Sequence, residues 1–180
     1  MKTLQLYDNF TSDSNKKLMD LCSLKSDILQ WKPNADSWSL LEVLHHLLLV
    51  EQAVLNYIEY KQSHIQPPAK TSLKTWLYGK LLNRALLSNR KFKAPVAAGS
   101  PSPVISADEI AEGFRIVREQ TREKFETTQQ KRLTGALFKH PLAGYLSPKH
   151  TAVFIKSHWI HHQKQINALI QGYEQEQEKN

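Results

Sequence analysis

A chain of 180 residues with 41% hydrophobic and 23% charged residues has the composition of one globular domain with room for a substantial core. It contains no apolar run near the roughly 20 residues of a membrane span, and its opening, MKTLQLYDNFTSDSNKK, lacks the apolar stretch and small-residue cleavage site of a secretory signal. A single cysteine and a formal net charge of +7 exclude an internal disulfide or thiolate zinc cluster, suit a reducing cytoplasm and raise the question of an anionic partner.

Apolar residues at three- and four-residue spacings predict a first helix over residues 4 to 30, with Leu18, Leu21, Cys22, Ile28 and Leu29 on its inner side and Trp31 at its end. Cys22 sits within this stripe and reads as an inert packing residue. KPNADSW then supplies turn and cap residues. Ser39 with Glu42 has capping-box spacing and opens a second helix, WSLLEVLHHLLLVEQAVLNYIEYK, the most apolar segment of the chain.

QPPAK stops that helix. A shorter, basic third helix is expected around Lys74 to Phe92, carrying Trp76, Leu77, Leu81, Leu82 and Leu86. From Lys70 to Lys93 the chain holds seven Lys or Arg and no acid. A solvated helix face is the preferred account of this charge, ahead of a phosphate-binding surface, and no recognised nucleic-acid motif accompanies it. A linker, APVAAGSPSPVIS, leads to a helix beginning near Ser106, where Asp108 and Glu109 favour the positive end of the dipole, and running to about Lys131. TGALFKHPLAGYLSPKH reads as another connection. The last helix starts near Ser147 or Pro148 and continues to about Tyr173, before a polar tail expected to fray. With strand signals nearly absent, four long helices and one short one predict an all-α bundle.

Three of the eight histidines fall in SHWIHHQKQI of the last helix. Ile155, His158, His162, Ile166 and Leu169 share one face, so His158 and His162 stand one turn apart within an apolar stripe, able to converge on one ion. His161 is rotated toward the Phe154 side, so it can flank them but is less suited to join them. In the second helix, Val43, His46, Leu47, Val50 and Val54 form the apolar stripe and favour His46. His45 shares a side with Leu41, Leu48, Leu49 and Gln52 and stays an alternative. One imidazole facing a His-x3-His pair makes a three-nitrogen site inside a bundle. Three protein ligands leave a position open for water or substrate, as in catalytic sites. All-imidazole ligation suits zinc, nickel, copper or iron.

WKPNADSWSLLEVLHHLLLVE, KHPLAGYLSPKH and HWIHHQKQI, in that order, resemble the motifs of the DinB-like superfamily, which includes YfiT-type thiol transferases and related metal-dependent hydrolases. The resemblance implies a four-helix bundle with a short extra helix and a long crossover connection. It puts a divalent transition metal, zinc or nickel before others, on His46, His158 and His162. Gln165 matches a family glutamine suited to hydrogen-bonding a ligand, although Lys164 stands where the family often has glycine. His140, in the His-Pro motif, is expected to line or rim the pocket.

The resemblance further implies a homodimer and, in some branches, transfer of a low-molecular-weight thiol onto an electrophilic small molecule. An anionic thiol would find Arg84 and Arg90 of the basic helix as contacts. No Asp or Glu shares the histidines' faces, so His161 is the candidate base, which suits thiol transfer better than simple hydrolysis. The alternative is a stress-related protein that binds a small ligand without turnover, its metal structural or missing. Neither nucleic acid nor membrane is expected as a partner.

Overall fold

Reciprocal caps and apolar stripes divide this chain into helices. The computed structural model describes residues 2–63, 73–88, 101–102, 104–131 and 135–179. Its helices are α1 (Thr3–Cys22), α2 (Ser26–Gln30), α3 (Leu40–Ser63), α4 (Leu73–Leu86), α5 (Ala107–Gln130) and α6 (Pro148–Gln177); a hairpin, β1 (Phe138–His140) and β2 (Gly144–Leu146), precedes α6. The fold is all-α. Among the described residues, no helix is long and apolar enough to cross a membrane.

The starts of α3, α5 and α6 have a local cause. At α3 the Glu42 backbone N–H donates to Ser39 Oγ, while Glu42 Oε2 accepts from the Ser39 N–H. Ser106 and Glu109 repeat that box at α5, and Ser147 caps α6 with Pro148 in its first turn.

The helix expected over residues 4 to 30 is two helices. Ser23 Oγ donates to the Asp20 carbonyl, and Lys25 adopts an extended conformation before α2 restarts at Ser26. A side chain competing for a backbone carbonyl ends α1 there. The last helix also runs past Tyr173, because its polar end is held. Trp31 Nε1 donates to Glu176, Tyr173 donates to Asp27, and a Cβ at Gly172 would come within 2.8 Å of the Trp31 ring.

α1 and α3 each pack against both α5 and α6, while α4 lies along α6. α3 is the central helix: Leu40, Val43, Leu44, Leu47, Val54, Leu55 and Ile58 are essentially inaccessible to solvent. Burying such side chains contributes about 1.5–3 kcal/mol each. Across the core, α5 adds Ile110, Phe114, Val117 and Phe125, and α6 adds Phe154, Ile155, Trp159 and Ile166. This packing fixes which face of α3 and which face of α6 meet, and so which histidines meet.

The hairpin replaces what the sequence reads as a plain connection. Phe138 pairs with Leu146 and His140 with Gly144, whose φ of 69° is the left-handed conformation glycine accepts without strain. Phe138 stacks on Phe154 at 5.9 Å and meets Tyr57 edge-on at 5.5 Å, which fastens the hairpin to α6 and α3.

Candidate metal centre

His46 rises from the buried stripe of α3, and His158 and His162 from the stripe of α6. Their packed faces bring one ring nitrogen from each to within 4.8 Å of the others. Ring centroids lie 5.2 Å apart for His46 and His158, 5.0 Å for His46 and His162, and 4.8 Å for His158 and His162. Nitrogens around one zinc ion, each about 2.1 Å from it, lie roughly 3.4 Å apart in a tetrahedron. The present spacing is wider by an amount that small side-chain rotations remove.

The electrostatics favour lone pairs over protons. Burial pushes His46 and His162 down to about 4, and neighbouring imidazoles add to the effect. His158 lies well below its ordinary value, chiefly through burial and then through the charges of His162 and His46. Three neutral rings therefore face one another at neutral pH.

Hydrogen bonds orient the set. His162 Nδ1 and Gln165 Oε1 are 2.9 Å apart, so Nδ1–H donates to the carboxamide oxygen and Nε2 is left as the basic nitrogen. His46 Nδ1 is buried and, among the described residues, has no hydrogen-bond partner. An unpartnered buried polar atom costs about 1–3 kcal/mol, and a residue set with spare nitrogens fits a cation. Trp38, 5.1 Å from the His46 ring, and Phe154, 5.7 Å from His158, wall the cluster.

The flanking residues divide clearly. His45 turns away, its Nδ1 accepting from the Ser102 backbone N–H at 2.8 Å. His161 Nδ1 donates to the Leu86 carbonyl at 2.7 Å, and its ring lies 5.2 Å from that of His162. His140 stands 4.7 Å from Phe154, one aromatic ring removed from His158. Arg84 is exposed on α4, next to Asn83, whose carboxamide accepts from Ser157 of α6. Arg90 lies outside the described residues. Of the apolar residues expected to mark α4, Leu86 is buried, while Trp76, Leu77 and Leu81 are 46–50% exposed.

Among the described residues, no Asp or Glu joins the three rings. Glu51 is engaged by Arg118, which donates from Nη2 to Oε1 at 2.9 Å and from Nε to Oε2 at 3.1 Å. Glu42 holds the α3 cap and Lys32. Burial, and then the charge of Asp108, push the Cys22 thiol up to about 11, which disfavours the reactive thiolate.

The sequence reading missed the Glu51–Arg118 pair, although Arg118 falls in the α5 stripe of Ile110, Phe114, Val117, Thr121 and Phe125. A cation in an apolar register was the available signal.

The family model described as DinB superfamily matches residues 15–166, a span that takes in all three histidines. Neither a curated protein nor a solved structure matches the chain.

Proposed function

The chain belongs to the DinB superfamily, and on that premise we propose that it is a metal-dependent enzyme that activates a low-molecular-weight thiol, or water, against a small electrophilic substrate. The observation that carries this reading is the convergence of three imidazole nitrogens within 4.8 Å, from two helices. His46, His158 and His162 would hold a divalent transition metal, zinc or nickel before others. Bound there, the ion supplies Lewis acidity that favours the deprotonated form of a thiol or water.

The protein's own residues do the rest. Gln165 fixes the His162 tautomer, and the walls formed by Trp38 and Phe154 limit water around the reacting atoms. His161, oriented by its Nδ1–H bond to the Leu86 carbonyl, is the candidate base. The engagement of Glu51 and Glu42 elsewhere supports thiol transfer over hydrolysis, since a thiol needs less help from a base than water does. Arg84 contacts the anionic group of the thiol. The exposed apolar residues of α4 supply a face for a homodimer.

The test is the metal content of protein purified without a metal-affinity column, beside a His158→Ala, His162→Ala double variant. Near-stoichiometric transition metal in the wild type and its loss in the variant are expected. No metal in either, with no uptake on titration, would sink the reading and leave a ligand-binding bundle without turnover.

A further inference from the structure

His140 has a fixed tautomer. The backbone N–H groups of Leu142 and Ala143 both donate to its Nδ1, at 3.2 and 3.1 Å. A nitrogen that accepts two hydrogen bonds carries no proton, so the neutral ring bears its hydrogen on Nε2. Burial pushes the ring down to about 4, and it stays neutral at ordinary pH.

The hairpin builds this arrangement. His140 ends β1 and pairs with Gly144, whose left-handed conformation turns the chain back tightly enough for residues 142 and 143 to reach the ring. Phe154 then holds the ring edge-on at 4.7 Å, and His158 lies 5.7 Å from the same phenyl group. His140 is outside the set of three converging rings. The ring is 8% exposed and its Nε2 is not among the fully buried polar atoms without a partner, so the N–H keeps some accessible surface. A donor oriented by two backbone bonds at Nδ1 and still reachable at Nε2 is suited to an acceptor brought by a ligand.

We propose that His140 is a substrate-binding donor: its Nε2–H hydrogen-bonds an anionic or carbonyl acceptor atom of the small molecule held at the three-histidine centre. This role rests on the metal-centre reading above. It distinguishes His140 from His161, whose Nδ1–H is committed to a carbonyl and whose Nε2 is the basic nitrogen. One histidine donates to the ligand and the other takes a proton from it.

The test has two arms on the full chain. Nitrogen-15 NMR of histidine-labelled protein reads the tautomer directly, and the Nε2-protonated neutral form is expected for His140 at neutral pH. Azide is then titrated into cobalt-loaded protein and followed by visible absorption. His140→Asn keeps an oxygen for the Leu142 and Ala143 N–H groups but loses the donor. It should bind cobalt as the wild type does and azide at least about tenfold more weakly, as for a hydrogen bond to a charged group. His140→Gln, which can place an N–H near Nε2, should recover most of that loss. An Nδ1-protonated ring, unchanged azide affinity in His140→Asn, or equal loss in both variants overturns the donor role alone. Failure of the wild type to take up cobalt overturns the metal centre and this role together.

Discussion

Gln165 Oε1 accepts a hydrogen bond from His162 Nδ1 at 2.9 Å, one helical turn along α6. The bond fixes ring rotation and tautomer at once, presenting Nε2 as the basic nitrogen. Partners of this kind typically contribute 10–100-fold to metal affinity. Gln165→Ala should therefore fold as the wild type does while binding zinc about 10–100-fold more weakly, read by competition with a chromophoric chelator. Equal affinity would mean that packing against His46 and His158 alone orients the ring.

Arg118 and Glu51 form a different kind of pair. Both are essentially buried, and the guanidinium also reaches Asn15 Oδ1 and lies over Phe114 and Trp159 at 4.6 and 5.1 Å. Four helices thus meet at one cation. Arg118→Met leaves the Glu51 carboxylate buried without its partner, and should cost about 3–5 kcal/mol in urea unfolding. Removing both charges with Arg118→Met and Glu51→Leu should recover much of that loss. A double variant as unstable as the single one would place the cost in packing around Phe114 and Trp159.

Metal-free protein should lose stability in mild acid. Burial holds His46, His140 and His162 down to about 4 and His158 well below its ordinary value, which is about 6.5. Above that value both folded and unfolded chains carry neutral rings, and the difference vanishes. As pH falls from about 6.5 toward 4, the unfolded chain binds protons that the folded chain refuses, so unfolding becomes easier. Each such proton removes about 1.4 kcal/mol per pH unit. The shifted carboxylates, such as Glu42, titrate lower, below their ordinary 4.5, which leaves the window between 4.5 and 6.5 to the imidazoles. Urea titrations across that window should slope steeply in the wild type and less in a His158→Gln, His162→Gln variant. A flat profile in the wild type would contradict the burial of these rings.

How much of this could be read from sequence depended on range. His158 and His162 were legible because i and i+4 on an apolar stripe is a local property, and His46 because the α3 stripe runs through it. The capping boxes at Ser39 and Ser106 were legible for the same reason, each needing only four residues. β1 and β2 were not: three-residue strands are too short to show alternation, and their pairing depends on Phe138 docking against Tyr57 and Phe154. The break at Ser23 was hidden because the apolar spacing continues through it. Arg118 was missed because an arginine reads as surface until its partner, 67 residues away, is known.

The adjacent pair His45 and His46 provides the sharpest contrast, because composition and neighbourhood are nearly identical and only helix rotation separates them. His45 holds the connection before α5 through the Ser102 N–H, while His46 lies within the three-ring cluster, 3% exposed. His45→Ala should lose roughly one hydrogen bond, about 0.5–1.5 kcal/mol of stability, and keep zinc affinity within a few-fold. His46→Ala removes one of three nitrogens, and its zinc affinity should fall by more than the roughly 100-fold upper range for an outer partner such as Gln165. Both variants can be measured by chelator competition and urea unfolding on the same samples. If His45→Ala lost the metal and His46→Ala kept it, α3 would present its other face to α6 in solution, and the three-ring cluster would not be the centre.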